Sequence, residues 1–255
     1  MADTTSPAGA PGWFSTDAFW ETSYTSMFPE QRFADADAEL AAVVALTGET
    51  PRRVLDLACG PGRHAIAAAR HGMTVVGIDR SAFLLAKARQ LAAQHNVEVE
   101  WIHGDMRDTV PSTPFDLVLN LFTSFGYFKD DAENERVLTN AYQSLRSGGH
   151  LVIDVGGKEV LARIFSESTV EEIPEGLVVK RRWVTADWSR MENEWTFVRD
   201  GSVQSFQLAH WIYSGRELAQ MLRRAGFADV CLFGSFEGAP YGPKATRLVA
   251  VAVKA

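Results

Sequence analysis

Two patterns of apolar residues alternate through the first part of the chain. Short β-branched runs from Arg53 to about Val155 alternate with stretches whose apolar residues have helical spacing; the runs are "RVLDLA", "TVVGID", "VEVEWIHG", "FDLVLNLF" and "HLVIDVG". Strands that alternate with helices predict an α/β fold with a doubly wound parallel sheet. An amphipathic helix from Phe33 to Leu46, ending before Gly48, is predicted ahead of the first strand.

This alternation breaks between residues 177 and 214. Three strand-like runs are joined there by polar turns, and Asp200-Gly201 is typical of a two-residue hairpin. Such a turn would place Trp195 opposite Phe206, and Met191 opposite His210. A helix and two closing strands follow, and the loop between these strands is too short for a crossover helix. We therefore expect the last two strands to be antiparallel.

The predicted organisation has four parts. Residues 1–32 form an aromatic-rich N-terminal segment expected to act as a lid, and residues 33–176 form the α/β core. Residues 177–214 form an inserted antiparallel sheet, and residues 215–255 complete the core. The first ten residues or so are expected to be loose. We expect the N-terminal segment and the inserted sheet to cover a site on the core.

Composition and charge exclude several classes of protein. The 255 residues are 46% hydrophobic and 22% charged, which is typical of a globular chain. A net charge of −7, with no block of Lys or Arg, argues against a nucleic-acid partner. Cys59 and Cys231 stand in no metal-binding or disulfide pattern, so no metal is predicted. No run approaches the roughly 18 apolar residues of a membrane span, and no basic and apolar leader is present. We expect a cytoplasmic protein with no membrane partner, and oligomeric state is not indicated.

Candidate chemistry begins at the stretch "VLDLACGPGRHA", where a strand runs into a glycine turn and a helix. Gly60 and Gly62 allow close approach of a ligand at the carboxyl edge of the sheet, although a GxG pattern alone also fits a simple tight turn. Asp79 ends the second strand, where a carboxylate can accept both hydroxyls of a ribose; it could instead cap the next helix. Asp105 lies at the same edge and could accept a hydrogen bond from an adenine amino group.

These motifs together resemble the class I S-adenosylmethionine-dependent methyltransferases. The matching stretches are "VLDLACGPG", "VVGID", "GDMRD", "FDLVLNLFTSFGYF" and "GGHLVIDV", and the resemblance covers roughly residues 33 to 155 with the closing helix and two strands. It implies a seven-stranded sheet whose last strand is antiparallel. It also implies S-adenosylmethionine as the cofactor, S-adenosylhomocysteine as the product, and methyl transfer by in-line displacement.

The resemblance also implies roles for individual residues. Gly60 and Gly62 would lie along the methionine and ribose parts of the cofactor, Asp79 would hold the ribose, Asp105 and Met106 would face adenine, and Leu121 would lie near the methionine amino group. Asp56 fits the same pattern, and Arg80 beside Asp79 is a further candidate. Tyr24 and Arg32 precede the first helix, where related enzymes close a lid. Arg32 could pair with the methionine carboxylate or be a solvated surface residue.

Two other functions remain open from the sequence. Gly60, Gly62 and Ala65 also fit the GxGxx(G/A) pattern of an NAD(P)-dependent oxidoreductase of Rossmann type. The stretch "GDMRD" and Asp56 fit the methyltransferase pattern better. A non-catalytic protein that binds a nucleoside cofactor is the second alternative, because no catalytic base is obvious.

The predicted methyl acceptor is a small molecule. The proline pair and the cysteine that base-methylating enzymes carry after the fourth strand are absent from "NLFTSFGYF". Six of the seven Trp residues lie in the N-terminal segment and the insert, where they could line an apolar pocket or merely anchor the sheet. The pattern is similar to small-molecule N-methyltransferases, including those of amino sugars, and we expect an amine or a hydroxyl rather than a carbon acceptor.

His210 and Tyr127 are the candidates for a general base. His210 would be the one titratable group on a largely apolar face of the insert, although a structural histidine is the alternative. Tyr127 lies in the loop after the fourth strand. His64 begins a helix whose dipole disfavours the charged imidazole, and we assign it no catalytic role.

Overall fold

The structure is a computed structural model that describes residues 12–174 and 176–255. The expectation for the first ten residues lies outside these ranges. A 3-10 helix spans Trp13–Ser15, and the α-helices are α1 (Asp17–Met27), α2 (Glu30–Ala34), α3 (Ala36–Thr47), α4 (Arg63–Arg70), α5 (Ala82–Gln94), α6 (Asp131–Ser144), α7 (Lys158–Ile164) and α8 (Gly215–Arg224). The strands are β1 (Arg53–Leu57), β2 (Thr74–Asp79), β3 (Glu100–His103), β4 (Phe115–Asn120), β5 (Leu145–Val155), β6 (Ser168–Ile173), β7 (Gly176–Val184), β8 (Arg190–Arg199), β9 (Ser202–Trp211), β10 (Phe227–Phe233) and β11 (Leu248–Lys254).

The main sheet has seven strands in the order β10-β11-β5-β4-β1-β2-β3. Strands β1 to β5 pair in parallel, whereas β11 is antiparallel to both β5 and β10. The predicted fold class and the predicted antiparallel closing pair are both confirmed. The strand order reverses between β1 and β4, so a crevice is expected at their carboxyl ends.

Helices cover both faces of this sheet, and the strands are apolar on both sides for that reason. In β1, Leu55 and Leu57 pack into one hydrophobic cluster with α6 and α8, while Val54 packs into the other with α3 and α4. Near-continuous apolar runs are the expected sequence of a parallel sheet buried on both faces.

The second sheet has four antiparallel strands in the order β6-β7-β8-β9. Asp200 (φ 43°) and Gly201 (φ 78°) form the predicted hairpin turn, and the predicted pairs Trp195 with Phe206 and Met191 with His210 are confirmed. The sheet begins earlier than the sequence predicted, because β6 adds a fourth strand before residue 177. Its sequence "STVEEI" is mostly exposed and lacks an apolar alternation that would have revealed it.

The N-terminal segment joins the two sheets. Trp13 donates its indole N–H to the Ala209 carbonyl oxygen at 2.9 Å, and the Phe19 ring lies 5.8 Å from the Trp195 ring and 5.4 Å from the Phe206 ring, between ring centres. Phe19 also packs in one cluster with Leu84 of α5. The inserted sheet therefore rests on the N-terminal segment, which in turn rests on the core. Within the described ranges, none of the helices has the length and apolar character needed to span a membrane.

Candidate cofactor site

A cavity of about 960 Å³, its mouth included, lies at the carboxyl ends of β1, β2 and β4. Its floor is the turn between β1 and α4, and its cover is the N-terminal segment, from which Phe14, Trp20, Met27, Phe28 and Arg32 line it. The position is the one that open α/β sheets use for nucleoside ligands.

The two glycines of the floor have different surroundings. Gly60 (φ 55°) lines the cavity, and a Cβ added there would meet only the Phe28 ring, at 3.6 Å. Gly62 (φ 80°) is not a lining residue, and a Cβ there would overlap the Trp101 ring. Both positions need glycine for their left-handed backbone. Only Gly60 leaves its backbone open to a ligand, whereas Gly62 allows α4 to pack closely on β3.

Asp79 is fixed at the end of β2 by two backbone hydrogen bonds. One carboxylate oxygen accepts the Gly60 N–H at 2.8 Å, and the other accepts the Ser81 N–H at 2.8 Å. Burial raises the pKa of Asp79, although these hydrogen bonds oppose the shift. Each oxygen keeps a further lone pair. The carboxylate therefore both closes the glycine turn and offers two acceptors to a ligand.

Asp105 is more heavily engaged than Asp79. Arg107 donates to it through its backbone N–H (2.9 Å), Nε (3.0 Å) and Nη2 (2.7 Å), and Arg80 donates through Nη1 at 2.6 Å. Burial alone would raise the pKa of Asp105, but the Arg107 hydrogen bonds hold it below its ordinary value. An adenine amino group would have to displace Arg80, whose side chain is 41% exposed.

Asp56 is a buried carboxyl group in the middle of the cavity lining. It is 3% exposed, and burial raises its pKa to about 7, against the opposing charge of Arg63. The nearby Asp79 charge adds to the rise. The group is thus partly protonated near neutral pH, unlike an ordinary surface aspartate.

The end of the cavity beyond Asp56 is basic and centred on Phe122. The Arg63 guanidinium lies 3.7 Å from the Phe122 ring centre, and Arg32 lies 5.5 Å from it. Arg63 is buried and donates to Glu39 at 2.5 Å. His64 shares that carboxylate at 2.9 Å, and burial lowers its pKa to about 4. The expected preference of His64 for the neutral form is confirmed, with burial as the main cause.

Aromatic side chains cover the cavity near Tyr127. The Tyr127 ring lies 4.7 Å from the Trp13 ring and stacks on Phe14 at 5.6 Å, between ring centres. Burial, and then the charge of Asp79, raises the pKa of Tyr127. A phenol that keeps its proton fits a hydrogen-bond donor or an apolar wall better than a general base.

Most of the predicted site residues meet in this cavity. The lining includes Arg32, Asp56, Gly60, Asp79, Arg80, Asp105, Met106, Leu121 and Tyr127. Tyr24 is not part of it and packs between Phe28 and Phe83. His210 is not part of it either. Burial, with the charge of Arg190, lowers the pKa of His210 to about 4, so its imidazole is neutral.

The sequence interpretation missed the residues that complete the walls. Arg63, Phe122 and Phe128 line the cavity together with Phe14 and Trp20. Phe122 and Phe128 stand inside a stretch that was noted as aromatic, and Arg63 directly follows the glycine turn, so both had a local signal. The described residues hold no cluster of three or more His, Cys, Asp or Glu side chains arranged to bind a metal.

The fold and cavity define an α/β protein that binds a nucleoside cofactor above a glycine turn. Residues 54–149 match the family model of the methyltransferase domain. A glycine/sarcosine N-methyltransferase of Aphanothece halophytica is 25% identical over 190 residues, 73% of this chain and 70% of the relative. A dTDP-3-amino-3,6-dideoxy-alpha-D-glucopyranose N,N-dimethyltransferase of Streptomyces fradiae is 33% identical over 117 residues, 46% of this chain and 44% of the relative.

The fold itself matches a solved methyltransferase. The crystal structure of an S-adenosylmethionine-dependent methyltransferase from Clostridium acetobutylicum ATCC 824 has a TM-score of 0.75 at 14% identity, covering 93% of this chain and 98% of that one. Residues 54–149 therefore form a methyltransferase domain, and the relatives and the matching fold support an S-adenosylmethionine-dependent methyltransferase. The predicted family, enzyme class and cofactor are confirmed.

Proposed function

We propose that the protein transfers a methyl group from S-adenosylmethionine to a small-molecule acceptor, an amine or a hydroxyl. The assignment of the cavity depends on the hydrogen bond between Asp79 and Gly60, which joins the end of β2 to the glycine turn. Each carboxylate oxygen of Asp79 accepts one backbone N–H and can accept a further hydrogen bond from a ligand. The cytoplasmic location stays a prediction from the sequence.

The residues of the cavity fit the cofactor part by part. Asp79 would accept the ribose hydroxyls, and the open backbone at Gly60 would let the ligand lie against the floor. Met106 and Asp105 would face adenine. Leu121 and Arg32 would lie near the amino acid portion, where the basic surroundings of Phe122 suit a carboxylate.

The acceptor would be held mainly by apolar and aromatic surfaces. When bound, S-adenosylmethionine supplies an electrophilic methyl group on a sulfonium centre. Phe14, Trp20, Tyr127 and Phe128 exclude water from this part of the cavity and can align an acceptor for in-line displacement. Of these four side chains only Tyr127 can titrate, and burial raises its pKa, so this wall of the cavity supplies no general base.

An amine acceptor is supported by the names of the relatives. The two relatives described above are an N-methyltransferase of glycine and sarcosine and an N,N-dimethyltransferase of an amino sugar. An unprotonated amine can attack without a dedicated base, which agrees with the aromatic walls.

Isothermal titration calorimetry with S-adenosylmethionine, S-adenosylhomocysteine and NADH tests the cofactor site. We expect the first two to bind and the Asp79→Asn variant to lose about 100-fold in affinity, because one charged acceptor is replaced by an amide. Asp229→Asn, at an exposed position on β10, is the matched control and should bind as the wild type does.

Binding of NADH alone would favour the oxidoreductase alternative and contradict the proposal. Binding of the two adenosyl ligands without turnover of any amine or hydroxyl acceptor, measured as S-adenosylhomocysteine release, would favour the non-catalytic alternative. The acceptor screen should begin with small amines and continue with hydroxylated aromatic compounds.

A further inference from the structure

The turn that follows β4 holds two consecutive residues in a strained backbone conformation. Phe122 (φ 58°) and Thr123 (φ 60°) both occupy the left-handed region. That region is unfavourable for any residue except glycine, and most unfavourable for a β-branched residue such as threonine. Two such residues in succession persist only where the surrounding structure holds them, and they are most frequent at functional sites.

Asp154, near the end of β5, holds both residues of this turn. Its Oδ2 accepts the Phe122 N–H at 3.0 Å, and its backbone carbonyl oxygen accepts the Thr123 N–H at 2.9 Å. Thr123 Oγ1 in turn accepts the Gly156 N–H at 3.3 Å. The strained turn is therefore tied to Asp154 of β5 by two hydrogen bonds and to Gly156, just after β5, by a third, and one of the three depends on the Asp154 side chain.

Arg247 completes the support of Asp154. Its Nη1 donates to Asp154 Oδ2 at 2.5 Å, and the Asp154 side chain is only 1% exposed. Burial raises the pKa of Asp154 although the Arg247 charge opposes the rise. A buried carboxylate is costly unless a partner neutralises it, so Arg247 is needed to keep the charged acceptor beneath Phe122.

The consequence of this arrangement appears at the cavity wall. The Phe122 ring lines the cavity, and the guanidinium groups of Arg247 and Arg63 lie 4.4 Å and 3.7 Å from its centre. A shift of the Phe122 backbone would move both the aromatic wall and the surface on which Arg63 rests. The Asp154 carboxylate itself is not among the lining residues, so any effect on a ligand passes through Phe122.

We propose that Asp154 and Arg247 are positioning residues that hold the strained Phe122–Thr123 turn and thereby fix the basic end of the cofactor cavity. This inference rests on the proposed function, since it assigns that end to the amino acid portion of the cofactor. It assigns to the two residues a role in ligand affinity in addition to any role in folding.

Calorimetry with two ligands separates this role from general stability. S-Adenosylhomocysteine carries the amino acid portion, whereas 5′-methylthioadenosine has the same nucleoside without it. In Asp154→Asn and in Arg247→Gln we expect the affinity for S-adenosylhomocysteine to fall about tenfold and the affinity for 5′-methylthioadenosine to change less than twofold. Titrations are made well below the unfolding temperature of each variant, and Arg247→Lys should recover part of the loss.

Asp116→Asn is the matched control. Asp116 also pairs with an arginine, Arg146, and also accepts backbone N–H groups, those of Arg52 and Arg53, but it lies outside the cavity at the start of β4. The loss of this pair should lower the melting temperature without changing either affinity. A purely structural role for Asp154 would give the same result in Asp154→Asn and would overturn the proposal.

A double-mutant cycle with Phe122→Ala tests the route of the effect. If Asp154 acts through Phe122, then Asp154→Asn should cost less than twofold in S-adenosylhomocysteine affinity once the ring is gone. An undiminished tenfold loss in the Phe122→Ala background would contradict the proposal. If the wild type binds no S-adenosylhomocysteine, the proposed function fails and this inference fails with it.

Discussion

The two ends of the cavity are built in different ways. At the Asp79 end, the carboxylate is held by backbone N–H groups of Gly60 and Ser81, which belong to the adjacent turns of the sheet. At the Phe122 end, the side chains come from distant segments: Arg32 precedes α3, Arg63 begins α4 and Arg247 precedes β11. The first end depends on local backbone geometry, and the second depends on tertiary packing.

This difference matches two kinds of ligand group. Backbone-held carboxylate oxygens suit hydroxyl and amino donors, which need directed acceptors. Three guanidinium groups lie around the Phe122 ring, near the carboxylates of Glu39 and Asp154 and the partly protonated Asp56, and such basic surroundings suit an anion. A nucleoside joined to an amino acid carries donors at one end and a carboxylate at the other, so the cavity as a whole fits that type of cofactor.

Asp56 lies between the two ends and provides the largest expected effect. Its pKa rises from 3.8 to about 7 because it is buried, so the folded protein keeps a proton that the unfolded chain releases. The stability due to this proton is present below pH 4 and is lost as the pH rises to 7. The Asp56→Asn variant avoids this pH-dependent loss of stability, because an amide does not titrate. Between pH 5 and pH 8, urea unfolding should show the free energy of unfolding of the variant, relative to that of the wild type, increase by on the order of 2–3 kcal/mol.

The control for this prediction is Asp229→Asn, whose stability difference from the wild type should not depend on pH. The same Asp56→Asn protein should bind S-adenosylhomocysteine more weakly, since a site can sacrifice stability for function. A difference in unfolding free energy that stays constant across this pH range would show that the Asp56 carboxyl is solvated and that the middle of the cavity is not a buried environment.

Arg80→Met tests the Asp79 end with a smaller effect. Arg80 occupies an acceptor position of Asp105 that an adenine amino group would need, and the ion pair is partly exposed. Such pairs contribute at most about 1 kcal/mol, so calorimetry should show 5′-methylthioadenosine binding up to about fivefold more tightly to the variant. Weaker binding would instead indicate that Arg80 itself contacts the ligand. Arg224→Met, which removes an exposed pair with Glu135, is the control and should leave affinity unchanged.

The contrast between the ends also explains what could be predicted from the sequence. Strand and helix periodicity, the glycine turn and the ends of β1 to β4 are local features, and they were sufficient to predict the fold and to place Asp79, Asp105 and Gly60 at one edge of the sheet, where they line the cavity. The hairpin register followed from a two-residue turn for the same reason. Gly62 had the same local signal as Gly60, but its contact with Trp101 could not be known without the packing of α4 on β3.

Features that depend on tertiary packing were harder to predict from the sequence. The pairing of Asp154 with Arg247 joins residues far apart in the chain, and no spacing indicates it. The aromatic residues of the N-terminal segment and the insert were expected to cover the site together. The N-terminal segment lines the cavity, whereas the insert packs behind it through contacts such as Phe19 with Phe206. The packing of the two aromatic segments decides which of them lies nearer a ligand, and their composition does not indicate how they pack.

His210 gives the smallest expected effect, and it is where a sequence hypothesis and the geometry differ most. A general base contributes about 10²–10⁴ to the rate. His210 faces Met191 across the insert and does not line the cavity, and its imidazole, with a pKa near 4 because it is buried, is a weak base. We expect His210→Ala to lower turnover of an amine acceptor less than threefold, and Tyr127→Phe, which alters the wall itself, to lower it more. A loss of 100-fold or more in His210→Ala, with the affinity for S-adenosylhomocysteine unchanged, would mean that the insert moves to bring this histidine to the acceptor, and the order of the covering layers would then have to change during the reaction.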